Sequence, residues 1–435
     1  MLRSLVGLAL TAALSLNCGH LQPARAAEGL TGRPLSLNDC VSIALRNNPQ
    51  FVSSAQGIVS ARVGLAKARS SYYPQLALSA TEALCREGSG ADGAQTQSGV
   101  DITSRLTLWR LGREEGVAES RASLRASEES HASTVQSLVS QVAGDYYAAL
   151  AARQLAGVAQ AGVASAQAHL DQVHARIALG AAAEVDAFTA ESDLAQAQLD
   201  LVDARSDLRT SFAQLRNTLG IGPEAAFELA EEAASEAVPT PPFPEALAVA
   251  LERRPEVMAA RALVQASRHA LTQARIWRGP VPEVAADYGQ GFTSWESRDA
   301  TWSVGLGLSW ALFDGYSTEA DVQAAQASRV RADAELRQLV NQVGQEVECA
   351  VVEAERTRAR VDGTAKLVQA AEARLAAAEG KYRQGVGVLV EVTDARVVLT
   401  SAQASQVRAG YDYQAALVSL QRAMGTLAAP EGGAR

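Results

Sequence analysis

The second half of the chain answers the first at an offset of about 205 residues, so any fold must satisfy both copies at once. Ala44-Leu45-Arg46-Asn47-Asn48-Pro49 is matched by Ala250-Leu251-Glu252-Arg253-Arg254-Pro255, and Pro74-Gln75-Leu76 by Pro282-Glu283-Val284. Gly180 is matched by Gly385, Asp186 by Glu391, and Leu219-Gly220 by Met424-Gly425. The copies span 28–221 and 245–427. A linker over 222–244, with prolines at its end, joins them, and a tail covers 428–435.

Each copy predicts the same order of elements. A helical stretch of about 33 residues (37–70; 245–277) leads into two strands around a polar loop. A helix of about 68 residues follows (113–179; 316–384), then a glycine tip near 180 or 385 and a return helix of about 37 residues. The long helix carries the strongest periodicity. Leu336, Val340, Val343, Val347, Ala350, Ala354, Thr357, Val361, Thr364, Val368, Ala371, Leu375, Ala378 and Tyr382 keep a strict four-three spacing, a heptad seam. The first copy repeats the seam from Val135 to Ile177, broken only by Asp145. At about 1.5 Å per residue the long helix spans roughly 100 Å and the shorter ones roughly 50 to 55 Å, so two short helices end to end match one long one. The linker then falls at half height.

The strands are expected at about 71–84, 98–109, 282–292 and 300–312. Residues 301–315 show the pattern best: Trp302, Val304, Leu306, Leu308, Trp310 and Leu312 alternate with Ser303, Gly305, Gly307, Ser309 and Ala311. Such alternation fits a half-buried soluble sheet or a barrel wall between lipid and water. Trp302 and Trp310 share one face, roughly 20 Å apart along the normal of a tilted strand, which matches two aromatic girdles. Four strands cannot close, and an open edge in lipid leaves backbone groups unpaired. Oligomerisation is therefore required; a dimer would give eight strands, a trimer twelve, a tetramer sixteen.

Residues 1–27 have the parts of a secretory signal: Arg3, the apolar run Leu5 to Leu16, and Ala24-Arg25-Ala26 as a cleavage site. The run is too short to span a bilayer. Cys18 raises a rival, lipidation, although Asn17 stands where Gly, Ala or Ser would precede a lipidated cysteine. Removing Arg3 and Arg25 takes the formal charge from −9 to −11, which argues against nucleic acid as a partner. Cys40, Cys85 and Cys349 are too scattered for a disulfide framework and are expected as small buried residues.

No enzyme constellation or cofactor motif is present. His20, His131, His169, His174 and His269 are dispersed, and three methionines do not suggest a soft-metal pathway. Glu391 and Asp394, spaced i, i+3, lie on one helix face just past Gly385. On their own they fit ordinary first-turn carboxylates favoured by the helix dipole.

Taken together, residues 36–49 (SLNDCVSIALRNNP), 244–257 (PEALAVALERRPEV), the WALFDG turn at 310–315, the KYRQGVGVLVEVTDAR tip at 381–396 and the terminal LQRAMGTL resemble TolC-type outer-membrane efflux proteins, the outer membrane factors. The resemblance runs through the whole mature chain in both copies. The first copy departs from it at LWRLGR, where the Phe-Asp-Gly turn is degraded.

The resemblance implies a mainly α fold with a β-barrel contribution: a homotrimer with a twelve-stranded barrel in the outer membrane continuing into a twelve-helix tunnel across the periplasm. It implies a passive conduit, fed by an inner-membrane efflux pump or ABC transporter through a periplasmic adaptor, with no cofactor. Trp302 and Trp310 would sit at the lipid interfaces, and Phe313, Asp314 and Gly315 would turn barrel into tunnel. Gly180, Gly385 and Gly387 would form the hairpin tips. Glu391 and Asp394 would line the periplasmic entrance as two carboxylate rings. Asp186 and Tyr382 would link neighbouring hairpins and keep the entrance shut. The family often places a basic residue where Gly387 stands, so this lock is expected to be incomplete or rebuilt. The rival reading in another class is a soluble periplasmic coiled-coil adaptor or scaffold.

Overall fold

The computed structural model describes residues 34–85, 95–180, 183–231, 240–276, 279–292, 298–384 and 386–428. The signal segment with Cys18, the hairpin-loop residues, linker residues 232–239, Gly385 and the tail beyond residue 428 lie outside them.

In the first copy a short helix α1 (Leu37–Asn47) is followed by α2 (Pro49–Ser70), strands β1 (Gln75–Cys85) and β2 (Gln95–Thr107), the long helix α3 (Arg113–Ala178) and the return helix α4 (Glu184–Leu219). The second copy repeats this as α5 (Phe243–Arg253), α6 (Pro255–Ile276), β3 (Val281–Phe292), β4 (Arg298–Ser309), α7 (Ser317–Arg383) and α8 (Leu389–Ala423). With 66 and 67 residues, α3 and α7 are each roughly 100 Å long.

The leading helical stretch is not one helix. It breaks at Asn48 (φ −69°, ψ 123°) and at Arg254 (φ −67°, ψ 124°), because the ring of the following Pro49 or Pro255 pushes its predecessor out of the helical region. Each break is used. The Asn48 carboxamide accepts from Gln50 N at 2.8 Å, capping α2, and donates to Thr218 O at 2.9 Å. Arg254, almost fully buried, reaches Glu346 at 2.6 Å and Glu256 at 3.4 Å instead. Burial pushes the Glu346 carboxyl up, but hydrogen bonds from Arg254 and Gln342 hold it below its usual range. The chain enters α1 through a capping box: Asp39 N donates to Ser36 Oγ at 3.2 Å and Ser36 N to Asp39 Oδ2 at 3.1 Å.

The heptad positions are the buried ones. Along α7, Val343, Val347, Ala354 and Thr357 are at most 1% exposed, and every other seam residue is buried or half-buried. Asp145, the one polar seam residue of α3, accepts a hydrogen bond from Thr218 Oγ1 on the return helix, so its carboxylate is partnered rather than stranded. The two copies meet where α3 packs along α6 and α8 as well as along α4 and α2. At the middle of α3, Leu35 bridges Leu229, Tyr146 Oη donates to Ala230 O at 2.8 Å, and Arg153 donates to Leu229 O at 2.8 Å. The described start of the linker is thus tied to half height.

The four strands form one antiparallel sheet in the order β1-β2-β3-β4. The strands are offset from their expected limits. The helix α2 runs to Ser70, and β1 starts only after Pro74, where Gln75 pairs with Arg105. On the other side β4 stops at Ser309, not at Leu312, because its partner β3 begins at Val281 just after Pro280, which has no N–H to offer. Trp310 is therefore the first residue beyond the strand. Register places Leu78, Ile102, Tyr288 and Trp302 in one row and Val284 opposite Leu306, so the apolar residues of all four strands share a face. That face is bare: Leu76 is 74% exposed, Leu306 75% and Trp302 77%. Gln75, Thr103, Arg105, Glu283, Asp287 and Ser303 occupy the opposite face. No described helix is long and apolar enough to cross a membrane.

One expectation about cysteines is corrected. Cys40 is buried, but Cys349 is exposed, because it follows the outward residue Glu348 on α7 and falls off the seam set by Val347 and Ala350.

A candidate pore entrance at the hairpin tips

The strand-to-helix turns and the hairpin tips are the two places where the chain must reverse or bend, and side chains cap both. At the second turn, Asp314 Oδ2 accepts from Thr318 N at 3.0 Å and from the Thr318 hydroxyl, capping α7. Gly315 (φ +67°) and Tyr316 (φ +68°) carry the left-handed bend, and the Tyr316 ring stands edge-on to Phe313 at 5.7 Å. The first copy lacks this Asp-Gly cap. There Gly112 (φ +81°) makes the bend, and Arg113 ties the turn down by donating to Thr107 O at 2.8 Å under the Tyr72 ring.

At the opposite end, the tips of the α3–α4 and α7–α8 hairpins pack against one another. Leu170, Val173, Ala187 and Ala190 from the first hairpin share a buried cluster with Ala378, Tyr382, Leu389, Val392 and Ala395 from the second. Gly180 (φ +68°) ends the first hairpin's outgoing helix, with its N–H donating to Ile177 O. At the second tip, Val386 N and Gly387 N both donate to Lys381 O, at 3.1 and 3.2 Å. A Cβ at Gly387 would stand 2.9 Å from Lys381 Cβ and 3.0 Å from Tyr382 N, so this position has no room for a basic side chain.

The positive charge arrives from the other hairpin. Arg176 donates to Tyr382 O at 3.2 Å, and its guanidinium carbon lies 4.3 Å from the Tyr382 ring centroid. The Tyr382 hydroxyl is buried and has no hydrogen-bond partner among the described residues. Asp186 does not reach it within the chain; its Oδ2 accepts from Ala183 N at 3.3 Å, capping its own helix α4.

A polar cluster that the sequence did not single out stiffens the same region. Arg396 donates to Glu379 at 2.9 Å, and Thr393 donates to Asp193 across the hairpins at 3.1 Å. His169 is 3% exposed, with both ring nitrogens unpartnered and its ring 6.4 Å from that of Tyr382. Burial is the main cause that pulls His169 below its ordinary value; Arg396 adds to it, and Asp193 and Glu379 oppose it. None of these contacts has a local sequence signature, since partners such as Thr393 and Asp193 lie 200 residues apart.

Glu391 and Asp394 are both exposed on one face of α8, while Val392 and Ala395 beside them enter the tip cluster. The carboxylates therefore point away from the protein's own core, together with the exposed Val388 and Val390. Among the described residues, no group of three or more His, Cys, Asp or Glu side chains is arranged to hold a metal ion.

A family model described as outer membrane efflux protein matches residues 40–221 and 246–426, both copies nearly end to end. The chain belongs to this family. It is 26% identical to the protein CyaE of Bordetella pertussis over 406 residues, covering 90% of this chain and 84% of that one. It is 25% identical to the outer membrane efflux protein BepC of Brucella suis over 402 residues, covering 90% and 85%. Among solved structures, CusC superposes with a TM-score of 0.80 at 17% identity, covering 94% of this chain and 95% of that one. The open-state MtrE channel of Neisseria gonorrhoeae does so with 0.77 at 19%, covering 89% and 88%. At such identities the structures establish the shared fold. The chain is an outer-membrane efflux or secretion channel component with a helical extension into the periplasm.

Proposed function

We propose that the chain assembles as a homotrimer and acts as the passive outer-membrane conduit of a tripartite efflux or type I secretion system. In this reading an inner-membrane pump or ABC transporter drives substrate, and a periplasmic adaptor docks the pump to the hairpin tips. The observation that carries it is the four-stranded sheet whose apolar face is bare and whose edges, β1 and β4, have no neighbour among the described residues. Joining three sheets edge to edge pairs those edges, and lipid covers the apolar face. Trp302 and Trp310 then stand near the two lipid interfaces, and Glu391 and Asp394 from three chains ring the entrance, where they favour cations. The test is fractionation followed by native mass measurement of the detergent-extracted protein. An outer-membrane species of three chains is expected, and a soluble monomer would refute the channel.

A further inference from the structure

At the foot of the sheet, α2, the start of α3, and α6 enclose a cavity of about 530 Å³ against the strands. Lys67 of α2, Arg105 of β2, and Arg110 and Arg113 of the turn into α3 line it, against two carboxylates, Glu119 and Glu283. Arg105 and Glu283 belong to the polar face of the sheet, so the cavity opens on the side opposite Leu76 and Leu306. Charge is graded along that face. Asp101 and Asp287 lie farther from the helices, and the cations gather at the base.

The lining carries four cations against two carboxylates. Among the described residues, no carboxylate lies within ion-pairing distance of Lys67 or Arg105, both exposed to the cavity. Arg113 spends one nitrogen on Thr107 O, while its buried Nε has no hydrogen-bond partner. Burial and the neighbouring Arg113 cation pull Arg110 below the ordinary guanidinium value. Gly116 leaves space for Gln273, whose carboxamide would meet a Cβ there at 3.0 Å and which adds a donor to the wall. Clustered guanidinium and ammonium donors around an open hollow of this size suit the oxygens of phosphate or carboxylate groups.

We propose that this cavity is an anion-binding station in the channel lumen, at the barrel-to-tunnel junction, for the phosphate or carboxylate groups of solutes in transit. It rests on the channel reading above. Rings of Lys and Arg lining a pore attract anions, and a threefold assembly repeats the station around the axis. The same chain would thus present carboxylates at its entrance and cations at the base of its barrel.

The test is calorimetric titration of inorganic tripolyphosphate into the detergent-solubilised full-length protein, alongside Lys67→Gln/Arg105→Gln. Both positions are exposed, and Arg113, which holds the turn, is left intact. Binding by the wild type, at least about tenfold weaker in the double variant, is expected, with affinity falling as salt rises. No binding, or equal binding by the two proteins, overturns the proposal. Competition by phosphatidylglycerol in mixed micelles would place the site against lipid and overturn the lumen assignment. Single-channel recording separates the two readings. A conducting channel without tripolyphosphate binding removes only the station, whereas variant-sensitive binding by a protein that forms no channel removes the conduit and the lumen assignment and leaves an anion site.

Discussion

Arg176, at the tip of the first hairpin, covers the ring of Tyr382 at the tip of the second, with 4.3 Å between guanidinium carbon and ring centroid. This contact joins residues from the two sequence copies where the tunnel would open. It brings a cation to Tyr382 beside Gly387, where an added Cβ would crowd Lys381. Arg176→Ala is expected to weaken tip packing by about 1 kcal/mol, seen as faster deuterium exchange over residues 378–392.

The Tyr382 hydroxyl and the Asp186 carboxylate do not meet within the chain, so in the proposed trimer their joint variant would report on contacts between subunits. Tyr382→Phe keeps the ring under Arg176 and removes only the hydroxyl. Combined with Asp186→Ala, it is expected to raise single-channel conductance. A double variant as closed as the wild type would dismiss these residues from the gate.

Glu391 and Asp394 point away from their own hairpin, so their charge acts outside the fold. Glu391→Ala/Asp394→Ala is expected to leave thermal stability nearly unchanged while lowering cation selectivity and block by multivalent cations. The reversal potential in a salt gradient measures the first, and titration with a trivalent cation measures the second.

His169 is expected to make the tips sensitive to acid. Its folded-state pKa lies below the unfolded value near 6.5 because burial disfavours the imidazolium. Its contribution to stability is thus complete above about pH 6.5 and is lost as pH falls through the lowered folded value. Between pH 7.5 and 5, exchange over residues 165–177 and 378–395 is expected to accelerate beyond the intrinsic chemistry. His169→Leu, which cannot be protonated, should flatten that response.

Gly220 (φ +68°) and Gly425 (φ +69°) follow the return helices and press on the helix breaks, where an added Cβ would stand 2.7 Å from Asn47 O or 2.8 Å from Arg254 N. Alanine at either is expected to cost roughly 1–3 kcal/mol from backbone strain, before counting the clash. Gly363→Ala, in open space on α7, should stabilise by up to about 1 kcal/mol. Thermal unfolding of the three variants checks the order.

The sequence by itself determined the periodic parts: the doubled plan, the seam from Leu336 to Tyr382 and the alternation from Trp302 to Leu308. Helix and strand periods are local, and burial then follows the apolar stripe. The turn caps were partly legible, because Asp314-Gly315 has its own local chemistry, whereas Arg113 replaces it in the first copy through a contact with Thr107 that no motif announces. Only the tertiary structure decided that Arg176 meets Tyr382, that Thr393 bonds Asp193, that His169 is sealed between hairpins, and that Lys67 and Arg105 face one cavity. These partners come from different helices and strands, and short-range patterns carry no information about which exposed faces will be brought together when long helices pack side by side.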